Sequence, residues 1–175
     1  MAARELGVTK KRLSLKFGFT AAATATTKQC GTYDERYSQM LADCKLGYDL
    51  GYDCAWVLEH HFTDYFPTPS PTVVMSHLAA AFPGLSLGSC VLVLPWYNPL
   101  RLAEEISMLS HFCKGDLHLA FGRGTAKIEY DAYDIDMSSA KERFKEAIEI
   151  INYGLSGEPF EFEGQFYKVG RRVAV

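Results

Sequence analysis

"LSLGSCVLVLPWYNPLRLAEEISMLSHFCKGDLHLAFGRG", residues 85–124, holds a complete strand–helix–strand pattern. Residues 85–95 form an apolar run without alternation, as expected of a strand covered on both faces. Asn98 and Pro99 then supply a cap and a first-turn proline. Leu102, Ile106, Leu109 and Cys113 share one helical face before Lys114 and Gly115 stop the helix. A second apolar run, residues 116–124, ends in Gly-Arg-Gly. Two strands with an intervening helix make a parallel pair joined by a right-handed crossover.

The alternation continues toward the N-terminus. "LSLKFGF" (13–19) predicts a strand, and "TYDERYSQMLADCKLGYDLG" (32–51) a helix with Tyr37, Met40, Leu41, Cys44 and Tyr48 at helical spacing. Thr32 and Glu35 form a capping box at its start. "CAWVLE" (54–59) is the next strand, and Ser70-Pro71 opens the apolar helix "TVVMSHLAAAF".

Past residue 124, the acidic run Glu129, Asp131, Asp134 and Asp136 reads as a solvated loop, because the spacing and glycine of a calcium loop are absent. Ser139 and Glu142 suggest a second capping box, ahead of a helix striped by Phe144, Ala147, Ile148, Ile151 and Leu155. The tail alternates around Glu163-Gly164, as a hairpin does.

Four strands, each followed by a helix, predict an α/β fold. The count matches the (βα)4 half of a TIM (β/α)8 barrel with a C-terminal β-hairpin extension, or a small open sheet. The 175 residues fall short of the ~250 that a complete barrel uses. The expected divisions are an arm over 1–12, the α/β domain over 13–157, and hairpin and tail over 158–175.

Composition narrows the class. A net charge of −3 gives no basic stripe for nucleic acid or an anionic membrane. No apolar stretch approaches the ~20 residues of a membrane span, and the N-terminal segment lacks the apolar core of a secretory signal. Five cysteines (Cys30, Cys44, Cys54, Cys90 and Cys113), with no CxxC pair, suit a reducing cytoplasm better than a disulfide framework or a zinc ribbon.

In parallel α/β proteins the chemistry sits at the carboxyl ends of the strands. There the second strand delivers Glu59-His60-His61, and alternation sends the two imidazoles different ways. One serves as a base in the mouth while the other braces the loop. The competing reading is an ordinary loop, and no second ligand cluster supports a metal. In Gly122-Arg123-Gly124 the glycines permit close backbone approach and the guanidinium suits a phosphate, or the segment is a tight turn with a surface arginine. Trp96 and Tyr97 wall a flat ligand or cover the rim. His77, His111 and His118 read as structural, with His118 packed within its strand.

Taken together, "EHHF" (59–62), "VLP" (93–95) followed by "NPLRLAEEISMLSHFCKGDLHLAFGRG", and "YDIDMSSAKERF" (133–144) resemble the bacterial-luciferase-like flavin monooxygenases over about residues 15–169. The resemblance implies a (β/α)8 barrel binding reduced FMN, or a deazaflavin in some branches, and using O2 to oxidise a small organic substrate. It implies His60 as the catalytic histidine and His61 as its supporting neighbour. Glu59, Cys90, Val91, Arg123 and Gly124 fall to the cofactor, with a non-prolyl cis peptide at Cys90–Val91 under the ring and Arg123 on the flavin phosphate. It further implies a homodimer through the second and third helices and a separate flavin reductase. Strands five to eight are missing, which also leaves a non-catalytic flavin-binding or dimerising module as an alternative. Substrate identity is not encoded in these motifs.

Overall fold

Four parallel strands stand side by side in the order β1-β2-β3-β4, so each crossover moves the chain one position along the sheet. The structure, a computed structural model, describes residues 15–24, 31–64 and 66–172. The expected arm over 1–12 and Cys30 lie outside the described residues. The strands are β1 (Gly18–Ala21), β2 (Cys54–Val57), β3 (Ser86–Val93) and β4 (Leu117–Gly122). Helices α1 (Tyr33–Asp49), α2 (Pro71–Ala81) and α3 (Pro99–Phe112) connect them. After β4 come a short helix α4 (Lys127–Ala132), the long α5 (Ala140–Leu155) and an antiparallel hairpin, β5 (Phe160–Glu163) with β6 (Lys168–Arg172).

Local chemistry sets the helix ends. The Thr32 side chain accepts from the Glu35 amide while Glu35 accepts from the Thr32 amide, completing the capping box. Asn98 accepts from the Arg101 amide with Pro99 in the first turn of α3. Two expected caps differ. Ser70 makes no capping bond, and its hydroxyl lies 3.3 Å from that of Thr72. Ser139 is already helical and caps nothing. Asp136 instead accepts from the Ser138 amide and starts a 3-10 turn over Met137–Ser139, so the chain begins to coil three residues early.

The core falls into two clusters. Met40 and Cys44 of α1, Met75 and Leu78 of α2, and Ala55, Val57 and Leu87 of the sheet form one. Leu102 and Ile106 of α3 meet Ala147 and Ile151 of α5, over Leu92 and Leu94, in the other. Fully burying an aliphatic side chain of this size contributes about 1.5–3 kcal/mol. On α5 the buried face turns toward Ile150, and the expected Leu155 is exposed.

Other expectations meet the geometry of the sheet. β1 begins at Gly18 rather than residue 13, and residues 13 and 14 lie outside the described residues. β3 is buried on both faces over 87–89 and again at 92–93, with Cys90 between them exposed. His118 is exposed as well, its ring against that of Trp56 at 5.7 Å, and His77 and His111 are exposed on α2 and α3. No helix among the described residues is long and apolar enough to cross a membrane.

The hairpin docks through one carboxylate. Glu146 of α5 accepts backbone N–H bonds from Gln165 (2.8 Å), Phe166 (3.0 Å) and Tyr167 (3.1 Å). Gly164 lets it approach, since a Cβ there would collide with that carboxylate. Glu146→Ala should lower stability by roughly 1.5–3 kcal/mol, with amide exchange accelerating selectively at residues 165–167. Urea unfolding with residue-resolved exchange measures both. Unchanged exchange at the turn would mean that the carboxylate does not hold it.

Candidate active site

Glu59, just past the end of β2, is almost fully buried. A carboxylate removed from water needs donors on both oxygens. Glu59 Oε1 takes His61 Nε2 at 2.9 Å. Oε2 accepts from the Val93 amide at 2.9 Å and the Tyr97 hydroxyl at 3.0 Å. Val93 ends β3 and Tyr97 follows the 3-10 turn Leu94–Trp96, so one side chain fastens the end of β2 to that of β3. The other nitrogen of His61, Nδ1, lies 2.9 Å from the Tyr133 hydroxyl. With Nε2–H donated to the carboxylate, Nδ1 accepts from the phenol.

The two histidines separate as alternation requires. His61 is buried, and its ring packs edge-on against Tyr133 and Trp96. His60 is about two-fifths exposed and lines a cleft of about 520 Å³ with Tyr33, Tyr37, Phe62 and Asp64. It stacks on Phe66 at 5.5 Å, and its backbone amide donates to Thr68 O.

Of the acidic run read as a solvated loop, Asp131, Asp134 and Asp136 are exposed, but Glu129 is buried on the short helix α4. Glu129 Oε1 accepts from the His61 backbone amide at 3.0 Å and lies 3.4 Å from His60 Nδ1. Tyr130 donates to Arg123 O, and its ring meets Trp96 edge-on at 4.6 Å. Trp96 in turn stacks on Tyr133 at 5.1 Å. Glu129, Tyr130 and Tyr133 are thus the residues that sequence reasoning missed. The available signal was spacing: Glu129 and Tyr130 turn inward on one short helical turn and Tyr133 follows at its C-cap, which a loop reading does not consider.

β3 changes register beside this network. The Cys90–Val91 peptide is cis, and pairing with β4 skips from Cys90↔Ala120 to Leu92↔Phe121. The Ser89 hydroxyl bridges the gap, donating to Ala120 O at 2.9 Å and accepting from Ala120 N at 3.0 Å. A Cβ on Gly122 would come 2.5 Å from Val91 Cγ2, and one on Gly124 would come 2.8 Å from Val93 Cγ1. The two glycines therefore let the Val91 and Val93 side chains lie against the end of β4, and Cys90 beside them is exposed. Arg123 is exposed and makes no ion pair among the described residues. A flat, anionic cofactor fits this edge: the cis peptide with its exposed Cys90 for the ring plane, the Arg123 guanidinium for a phosphate. No metal-binding group of three or more His, Cys, Asp or Glu occurs among the described residues.

Burial raises the Glu59 carboxyl above the ordinary glutamate range, and the bonds from His61, Val93 and Tyr97 only partly offset this. A raised carboxyl favours the protonated form in the folded state. Its stabilising contribution is therefore complete below the unfolded value, about 4.3, and is lost as pH rises through the folded one. Glu59→Gln cannot ionise, so its stability relative to wild type should improve as pH rises from 4 to 8. Urea unfolding of both proteins across that range measures the difference, and parallel curves would contradict it.

The luciferase-like monooxygenase family model matches residues 15–175. The chain is 31% identical over 105 residues to the alkanal monooxygenase alpha chain of the Kryptophanaron alfredi symbiont, covering 60% of this chain and 29% of that one. Among solved structures, monooxygenase RslO1 from Streptomyces bottropensis superposes with a TM-score of 0.82 at 25% identity, over 90% of this chain and 48% of that one. The FMN complex of the oxygenating constituent of 3,6-diketocamphane monooxygenase from Pseudomonas putida gives 0.81 at 18%, over 90% and 44%. The chain spans about a third of the length of the curated relatives it matches. With this match over nearly its whole length, the chain belongs to the luciferase-like monooxygenase family.

Proposed function

We propose that this chain is the N-terminal (βα)4 half of a TIM-barrel, flavin-dependent monooxygenase that uses reduced FMN and O2 on a small organic substrate. The observation that carries the reading is that neighbouring strand ends of one sheet carry an open imidazole, a cis peptide beside an exposed cysteine, and an exposed guanidinium with no ion pair among the described residues. These are His60, the Cys90–Val91 segment and Arg123. The FMN complex of the 3,6-diketocamphane monooxygenase constituent supports FMN, and the coenzyme F420-dependent reductase of Methanopyrus kandleri, at a lower TM-score of 0.64, keeps a deazaflavin as the alternative. The 3,6-diketocamphane relative is the oxygenating constituent of its monooxygenase, which supports a separate reductase partner for the present protein. Residues 13–157 would form the half-barrel and 158–175 the hairpin and tail, acting in the cytoplasm as a homodimer.

Bound reduced flavin supplies the electrons that activate dioxygen. The chain's own residues do the rest. Arg123 and the backbone at Gly124 would hold the phosphate end, and the Cys90–Val91 segment would support the ring. His60 moves a proton at the mouth of the cleft, and Glu59 with His61 keeps the ends of β2 and β3 together around it. The aromatic walls from Tyr33, Tyr37 and Phe62 exclude water from one side and favour an apolar substrate.

The second reading is a non-catalytic flavin-binding or dimerising module. Two measurements separate them. FMN should bind the chain saturably by quenching of flavin fluorescence, and Arg123→Ala should weaken binding about 10–100-fold, the value of a charge-assisted phosphate bond. His60→Ala should slow O2-dependent oxidation of reduced FMN by about 10²–10⁴. Equal rates with retained binding would establish the non-catalytic module.

A further inference from the structure

We infer that Glu129 is a positioning residue for His60, setting which ring nitrogen carries the proton and which faces the cleft. The inference rests on the reading of His60 as the reacting base, and it concerns a residue outside every motif that carries the family resemblance.

Glu129 Oε1 is held in place before it meets the imidazole. It accepts the His61 backbone N–H at 3.0 Å, and the side chain is 3% exposed. The helix beneath it is pinned by the Tyr130 hydroxyl on Arg123 O and by the Tyr130 ring against Trp96. His60 is fixed from the other side by its amide on Thr68 O and its ring on Phe66. Between these two fixed partners, Nδ1 of His60 lies 3.4 Å from Glu129 Oε1.

A carboxylate oxygen only accepts, so the neutral imidazole must carry its proton on Nδ1. The lone pair is then on Nε2, which has no protein partner among the described residues and belongs to the cleft-lining side chain. Free imidazole side chains in water favour the opposite tautomer, with the proton on Nε2. Glu129 thus reverses the intrinsic preference and leaves a proton acceptor at the cleft. The same logic governs other carboxylate–imidazole pairs, in which the carboxylate fixes tautomer and orientation without taking the proton. The distance is long for a charge-assisted bond. Catalytic hydrogen bonds are often long in the absence of ligand and tighten in the complex.

The test reads the tautomer directly. In the chain labelled with ¹⁵N-histidine, His60 is assigned by its loss in His60→Gln, and its ring-nitrogen shifts are read with the ring neutral. We expect the Nδ1–H form to predominate in wild type and the Nε2–H form in Glu129→Ala. Backbone amide spectra establish that each variant is folded, and Glu129→Gln, which keeps an oxygen for the His61 amide, serves if the alanine variant unfolds. With the gentler variant the Nδ1–H fraction should still fall, and O2-dependent oxidation of reduced FMN should drop about tenfold or more with FMN affinity unchanged. A folded variant with an unaltered His60 tautomer overturns the inference. A shifted tautomer with turnover indifferent to His60→Ala supports it and overturns the monooxygenase reading instead.

Discussion

The site depends on keeping an ionisable carboxylate out of water. Glu59 has donors from three places: the next residue but one, the end of the neighbouring strand, and the turn beyond it. None of these can move without stranding a buried charge, at a cost of several kcal/mol. The end of β3, the 3-10 turn and the His61 ring are therefore fixed relative to one another. Because Nε2 of His61 is committed to Glu59, Nδ1 must find its own partner. That partner, Tyr133, ties the segment after α4 to the same point. The raised carboxyl indicates that this arrangement works against the charge it contains. Glu59 serves placement at some expense to stability.

From that anchor the two histidines take separate work. His61 becomes part of the wall, closed in by Trp96 and Tyr133. His60, one residue on, reaches the cleft. α4 then holds both through a single oxygen of Glu129. The strand end, the turn and the short helix come from stretches far apart in the chain, which is why the parallel sheet matters: it brings their ends to one edge.

Much of the scaffold was legible in the sequence. The strand–helix alternation, the boxes and caps at Thr32 and Asn98, the buried face of α3 and the hairpin follow from period and local hydrogen bonding, which act within a few residues. The failures share a cause. Ser139 looked like a cap because its neighbours fit the box, but Asp136 bound the backbone first. The acidic segment looked solvated because its charge density is high. Yet its one buried member, Glu129, is satisfied by groups some 68 residues away, and no local pattern announces that. Position within a strand predicts a packed His118, yet the residue is exposed beside Trp56. The histidine pair was legible as a site, while the division of labour within it required the third dimension.

Trp96 sits stacked on Tyr133, edge-on to Tyr130 and near the His61 ring, whereas Trp56 lies beside His118 on the open face of the sheet. With two tryptophans in the whole chain, the molecule carries its own pair of optical probes. One indole is coupled to the hydrogen-bonded network at the strand ends and shares its rigidity. The other looks out from the sheet and registers whatever comes to cover it. Their ultraviolet emission therefore divides into an interior channel and a surface channel, so occupancy of the cleft and closure over the sheet leave different spectral signatures in the same unlabelled protein.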